Sequence, residues 1–117
     1  MIASVLSLGA GARAEQVQFA CDGEMEVVPR NVREKYTLAI TVDLSSAIVT
    51  VGSWGSAPIF GPGDNDTLVF MAKPDQRIGV STGTLNRITG VASVHIITAT
   101  DGLYKFYGTC RPAKKLF

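Results

Sequence analysis

A chain of 117 residues, 46% of them hydrophobic, with 11 Lys and Arg against 10 Asp and Glu, has material for one core and no charge imbalance. The charges are scattered and Lys114-Lys115 is the only adjacent basic pair, which excludes the electrostatic footprint that nucleic acid or an anionic membrane surface requires. With 2 cysteines and 1 histidine, no cofactor or metal is expected.

Residues 2–12 are apolar or small apart from Ser4 and Ser7, too short to cross a bilayer as a helix, and Ala12-Arg13-Ala14 supplies the small-x-small pattern that signal peptidase reads. A signal peptide over residues 1–14 is therefore expected, followed by one domain over residues 15–117 that works in the periplasm or is secreted. No Lys or Arg precedes Arg13, so the positively charged n-region is expected to be truncated. The rival reading is a buried first strand or helix. Beyond Ala14 no apolar stretch approaches spanning length, and an integral membrane protein is not expected.

The rest of the chain is punctuated as an all-β protein, with short strand-forming runs between Gly, Asp, Asn, Ser and Pro. Residues 17–21 alternate Val17, Phe19 and Cys21 on one face, and Asp22-Gly23 reads as a two-residue hairpin turn into residues 24–28. The clearest strand is 35–43, with Tyr36, Leu38, Ile40 and Val42 on one face. Residues 44–46 turn it into 47–52. Residues 52–66 form the longest segment without strand pattern. Strands are then expected over 67–72, 77–82, 84–89, 91–99 and 103–110, with turns at 73–76, 89–90 and 101–102.

No window carries a helical apolar stripe. Eight or so strands on short connections imply a small antiparallel barrel or a two-sheet sandwich. In an oxidising compartment Cys21 and Cys110 form the only intramolecular bridge available, tying the first strand to the last. Cys21 shares a face with Phe19, and Cys110 with Tyr104 and Phe106, so both sulfurs are expected to face the core.

The opening Val17-Gln18-Phe19-Ala20-Cys21-Asp22-Gly23 is similar to that of the periplasmic and membrane-bound inhibitors of c-type lysozyme, which are small disulfide-closed β-barrels. The late cysteine and the domain size fit that resemblance. The family's inhibitory loop, with its Ser-Gly and downstream Lys, matches no segment here, so none of its functional residues is carried over. The stretch 83–90 and the ending from Cys110 to Phe117 resemble small uncharacterised exported proteins of Gram-negative bacteria, a likeness that implies no activity.

Catalytic motifs are weak. Gly79-Val80-Ser81-Thr82-Gly83 satisfies the G-x-S-x-G pattern, but it leads into a strand rather than a helix, and His95 and Asp101 follow in an order that the α/β-hydrolase fold does not use. Residues 63–66, Gly-Asp-Asn-Asp, hold oxygen ligands without the order or the distal Glu of a calcium loop. His95 lies in a run where neither face is cleanly polar, so its orientation is not legible. Arg87 shares a face with Leu85 by period two, so either the strand is bulged or a guanidinium points inward toward a carboxylate.

No catalytic residue and no enzyme activity is expected. The candidate binding residues are Trp54 and Phe60, in the long 52–66 segment, and Arg87. Loops carry function more often than scaffolds do, and exposed aromatics are preferred anchors, although Trp54 and Phe60 could equally fold back to plug one barrel end. The reading is a non-catalytic exported module that binds a protein or cell-envelope component, with lysozyme inhibition as its most concrete form. The alternatives are a carrier holding a small apolar ligand in the barrel and a serine hydrolase using Ser81.

Overall fold

Val17, Phe19, Cys21 and Met25 mark one face of the first strand of the computed structural model, which describes residues 16–62, 66–100 and 102–113. This strand, β1 (Gln16–Val27), leads through a single 3-10 turn (Val28–Arg30) into β2 (Val32–Asp43). There follow β3 (Ile48–Val51), β4 (Gly55–Pro62), β5 (Thr67–Met71), β6 (Gly79–Asn86), β7 (Val91–Ile97) and β8 (Leu103–Pro112). Each strand pairs antiparallel with the next and β8 returns to β1, so the meander closes into an eight-stranded barrel. The expected signal peptide lies outside the described residues.

The inward faces are those the alternation marks. Leu38, Ile40 and Val42 of β2, Ala92, Val94 and Ile96 of β7, and Phe106 of β8 are buried, and no buried residue among those described is polar or charged. Phe70, Phe106, Ile40 and Ile96 are the largest fully buried side chains. An interior filled in this way is the usual condition of an eight-stranded barrel of small diameter. No helix among the described residues is long and apolar enough to cross a membrane.

The disulfide is the expected one. Cys21 faces Cys110 directly in the β1–β8 ladder, with Cα atoms 3.9 Å apart and 89 residues of separation along the chain.

Three sequence expectations are corrected. Asp22-Gly23 is not a turn but the middle of β1. Asp22 points outward, and Gly23 faces Gly108 where the two backbones approach so closely that a Cβ at 23 would stand 2.1 Å from the Tyr107 carbonyl oxygen. The glycine thus serves a close approach and not a chain reversal.

The expected strands 77–82 and 84–89 are one strand, β6. Gly83 lies across from Phe70, whose ring occupies the space a side chain would take, and a bulge between Val80 and Thr82 re-aims the strand at Ser81.

The 52–66 segment is not a loop throughout. A tight turn in which Trp54 N–H donates to the Val51 carbonyl oxygen at 2.9 Å reverses the chain into β4, which pairs with both β3 and β5.

Candidate functional site

The three candidate binding residues occupy three different places. Trp54 sits in the β3–β4 turn, half-buried, and its ring meets Tyr104 of β8 edge-on at 5.4 Å between centroids. It packs against the core cluster together with Tyr36 and Tyr104, so it covers one end of the barrel.

Phe60 points the other way. The register of β4 against β5 shifts between Ile59 and Gly61, and while Ile59 packs on the core, Phe60 is left 73% exposed on the outer wall. Around it the outer faces of three adjacent strands carry Ile48, Pro58 and Met71. Ile48 and Pro58 are direct ladder partners, and Ile48 and Met71 are exposed. A groove of about 210 Å3 runs past the Ile48 and Pro58 pair, lined by Ile48, Ser56, Pro58, Lys73 and Gln76. The outward residues of β3 to β6 in this quadrant, such as Thr50, Ser56, Thr82 and Thr84, carry no charge.

Arg87 is neither inward nor at a bulge. β6 ends at Asn86, whose Oδ1 accepts the backbone N–H groups of Ile88 and Thr89 at 2.8 Å each, and this Asx-type turn reverses the chain just after Arg87. Its backbone N–H donates to the Asp66 carbonyl oxygen at 2.7 Å. The exposed side chain lies at the rim of a small apolar slot of about 90 Å3 at the barrel end opposite Trp54, lined by Val17, Phe19, Val42, Leu44, Leu68 and Leu85.

The hydrolase candidates also resolve into places. Ser81 occupies the β6 bulge, and the next residue, Thr82, is the ladder partner of His95. The Thr82 hydroxyl donates to the Phe70 carbonyl oxygen. No hydrogen bond links Ser81 to His95 among the described residues, and Asp101 lies outside them. Asp64 and Asn65 of the calcium-like segment also lie outside the described residues.

The site that the sequence reading missed is on the outer wall of β1, β8 and β7. The ladders place Glu26 beside both Arg33 and Lys105, and Lys105 beside His95. One step along, Glu24 stands beside Tyr107, and Tyr107 beside Ser93. These residues line a groove of about 290 Å3. Each strand shows its half of the pattern as polar residues at alternate positions, but only the register reveals that the rows meet.

Below that groove three side chains of the same wall are bonded to one another. Arg111 donates to Asp22 Oδ2, and the Thr37 hydroxyl donates to Asp22 Oδ1 at 3.1 Å, and these contacts hold the Asp22 carboxyl below its ordinary pKa, Arg111 contributing most. At the β2 exit, Asp43 Oδ1 accepts the Ser45 hydroxyl at 2.7 Å and the backbone N–H groups of Ser45 and Ser46, and Oδ2 accepts an amide N–H of Gln16. Hydrogen bonding to the charged form lowers the Asp43 pKa to about 2.

No family model matches the chain, and neither a curated protein nor a solved structure matches it.

Proposed function

We propose that the barrel is a non-catalytic binding module of an oxidising compartment outside the cytoplasm, and that it engages a protein or another envelope component through the uncharged outer wall of β3 to β5. The observation that carries this reading is Phe60, 73% exposed on the same wall as Ile48, Pro58 and Met71, where every other phenylalanine among the described residues is in or against the core. A closed barrel presents no free strand edge, so a partner has to bind through exposed side chains instead of adding a strand. An aromatic side chain is among the kinds of anchor that dominate such contacts. Export is supported by the cystine and by the apolar leader ending in Ala12-Arg13-Ala14. The outward charges of β1 and β2, among them Asp22, Glu24, Arg33 and Lys35, favour contact with water on that wall over contact with lipid.

Among partners, c-type lysozyme is the concrete candidate, on the resemblance of residues 17–23, which lie within β1 and include Cys21 of the cystine. Titration of oxidised protein against lysozyme tests it, with Phe60→Ser alongside. Binding in the micromolar range or tighter that weakens at least tenfold, about 1.4 kcal/mol, in the variant supports both the partner and the face. Absence of binding at tens of micromolar removes lysozyme, and equal binding by the variant removes the Phe60 face.

A further inference from the structure

The groove on β1, β8 and β7 gathers polar side chains from three neighbouring strands. Glu24, Glu26, Ser93, His95, Lys105 and Tyr107 line it, and none of these side chains makes a hydrogen bond or an ion pair among the described residues. Glu26, Ser93, His95 and Lys105 are nonetheless half-buried. Asp22, Thr37 and Arg111, on the same wall, are all hydrogen-bonded. Among the described residues no unpartnered side-chain N or O atom is buried, so the polar atoms of the groove stay open to solvent and within reach of a ligand's donors and acceptors.

The chemistry of the lining selects the ligand. Two carboxylates, Glu24 and Glu26, alternate with the cations Lys105 and Arg33 across neighbouring strands, so an anion or a cation meets like charge about as often as opposite charge. An apolar ligand would bury the polar groups without pairing them. A peptide strand has no edge to join. Tyr107 adds a ring 66% exposed, flanked by Glu24 on one strand and Ser93 on the other. A flat aromatic surface bordered by acceptors on one side and donors on the other is complementary to a pyranose, with its C–H face and its rim of hydroxyls.

We propose that this groove is a saccharide-binding site that takes a neutral sugar, with Tyr107 under the ring, Glu24 and Glu26 accepting from its hydroxyls, and Ser93, His95 and Lys105 holding the opposite rim. A volume of about 290 Å3 is at the lower end of small-ligand sites, roughly 300–1,000 Å3, which suits one or two rings. The site lies on β8, across the barrel from the Phe60 face on β4, and does not depend on that face being used.

The test is titration of the oxidised protein with tetra-N-acetylchitotetraose and with maltotetraose, followed by backbone amide shifts. The expected result is saturable shifts at Glu24, Glu26, Ser93, His95 and Lys105, with a Kd of roughly 0.1–10 mM for at least one sugar. Tyr107→Ala weakens binding at least tenfold and the isosteric Glu26→Gln at least threefold, each with the rest of the amide spectrum unchanged, whereas Phe60→Ser binds as the parent does. Co-sedimentation with insoluble chitin then separates a polymer-binding site from one that takes free sugar. No saturable shift for either sugar at about 20 mM, shifts away from the groove, or undiminished binding in both Tyr107→Ala and Glu26→Gln overturns the assignment.

Discussion

Phe70 stands across from Gly83 in the β5–β6 ladder, and a Cβ at position 83 would lie 2.2 Å from Phe70 Cζ. The phenyl ring is fully buried and cannot swing out to make room. Gly83→Ala is therefore expected to destabilise the barrel by about 1–3 kcal/mol through overpacking, read from urea unfolding. Combining it with Phe70→Leu frees the space, so the double variant should lose less than the two singles together. Strictly additive losses would mean that ring and glycine do not compete.

The cystine joins strands at opposite ends of the sequence. Holding 89 residues of separation together restricts the unfolded chain by about 4–5 kcal/mol in the loop-entropy view, a large part of what a domain of this size has to spare. Cys21→Ala with Cys110→Ala should show a loss of that order in denaturant unfolding at unchanged m value. A loss below about 1 kcal/mol would indicate that the reduced chain already keeps its ends close.

Phe60 and Trp54 should separate cleanly in stability measurements. Phe60→Ser removes an exposed ring and should change stability by less than about 0.5 kcal/mol. Trp54→Ala uncovers the barrel end at Tyr104 and should cost roughly 1–3 kcal/mol, under the 3–5 of a fully buried aromatic. Equal effects of the two substitutions would contradict their assigned places.

Asp43 gives the barrel an acid-sensitive contact. Its pKa of about 2 lies below the ordinary value of about 3.9 in an unfolded chain, so its contribution is complete above pH ~4 and fades as pH falls toward ~2. The melting temperature of Asp43→Asn should fall below that of the parent at about pH 6 and approach it at about pH 2. A difference that stays constant across that range would remove the linkage.

What the sequence conveyed follows from how local the signal was. The face of Tyr36, Leu38, Ile40 and Val42 needed only period two, and it is the inward face of β2. The disulfide followed from there being two cysteines and one possible bridge. Asp22-Gly23 and Gly83 were misread for a single reason. Glycine beside polar residues marks turns, but here Gly23 answers to Gly108 and Gly83 to Phe70, partners too distant along the chain for a local pattern to show. β4 was hidden by Gly55, Pro58 and Gly61, poor strand residues by propensity that a barrel wall tolerates where neighbouring strands supply the pairing. Arg87 does line the same slot as Leu85, but exposed at its rim, because the strand ends at Asn86 and period two does not show where a barrel wall stops. The orientation of Trp54 rests on Tyr104, and the groove around Tyr107 on the register of three strands, and neither is a property of any one segment.

Every strand except the closing pair finds its neighbour next to it in sequence. The wall can thus assemble as a succession of hairpins, each closing a short loop at small entropic cost, while the pairing of β1 with β8 alone has to bring the far ends of the chain together. That seam is therefore the one pairing whose closure spans nearly the whole chain. Because the cystine lies within it, an oxidised chain that loses its structure keeps the two seam strands within reach, and it begins folding again with its slowest encounter already made.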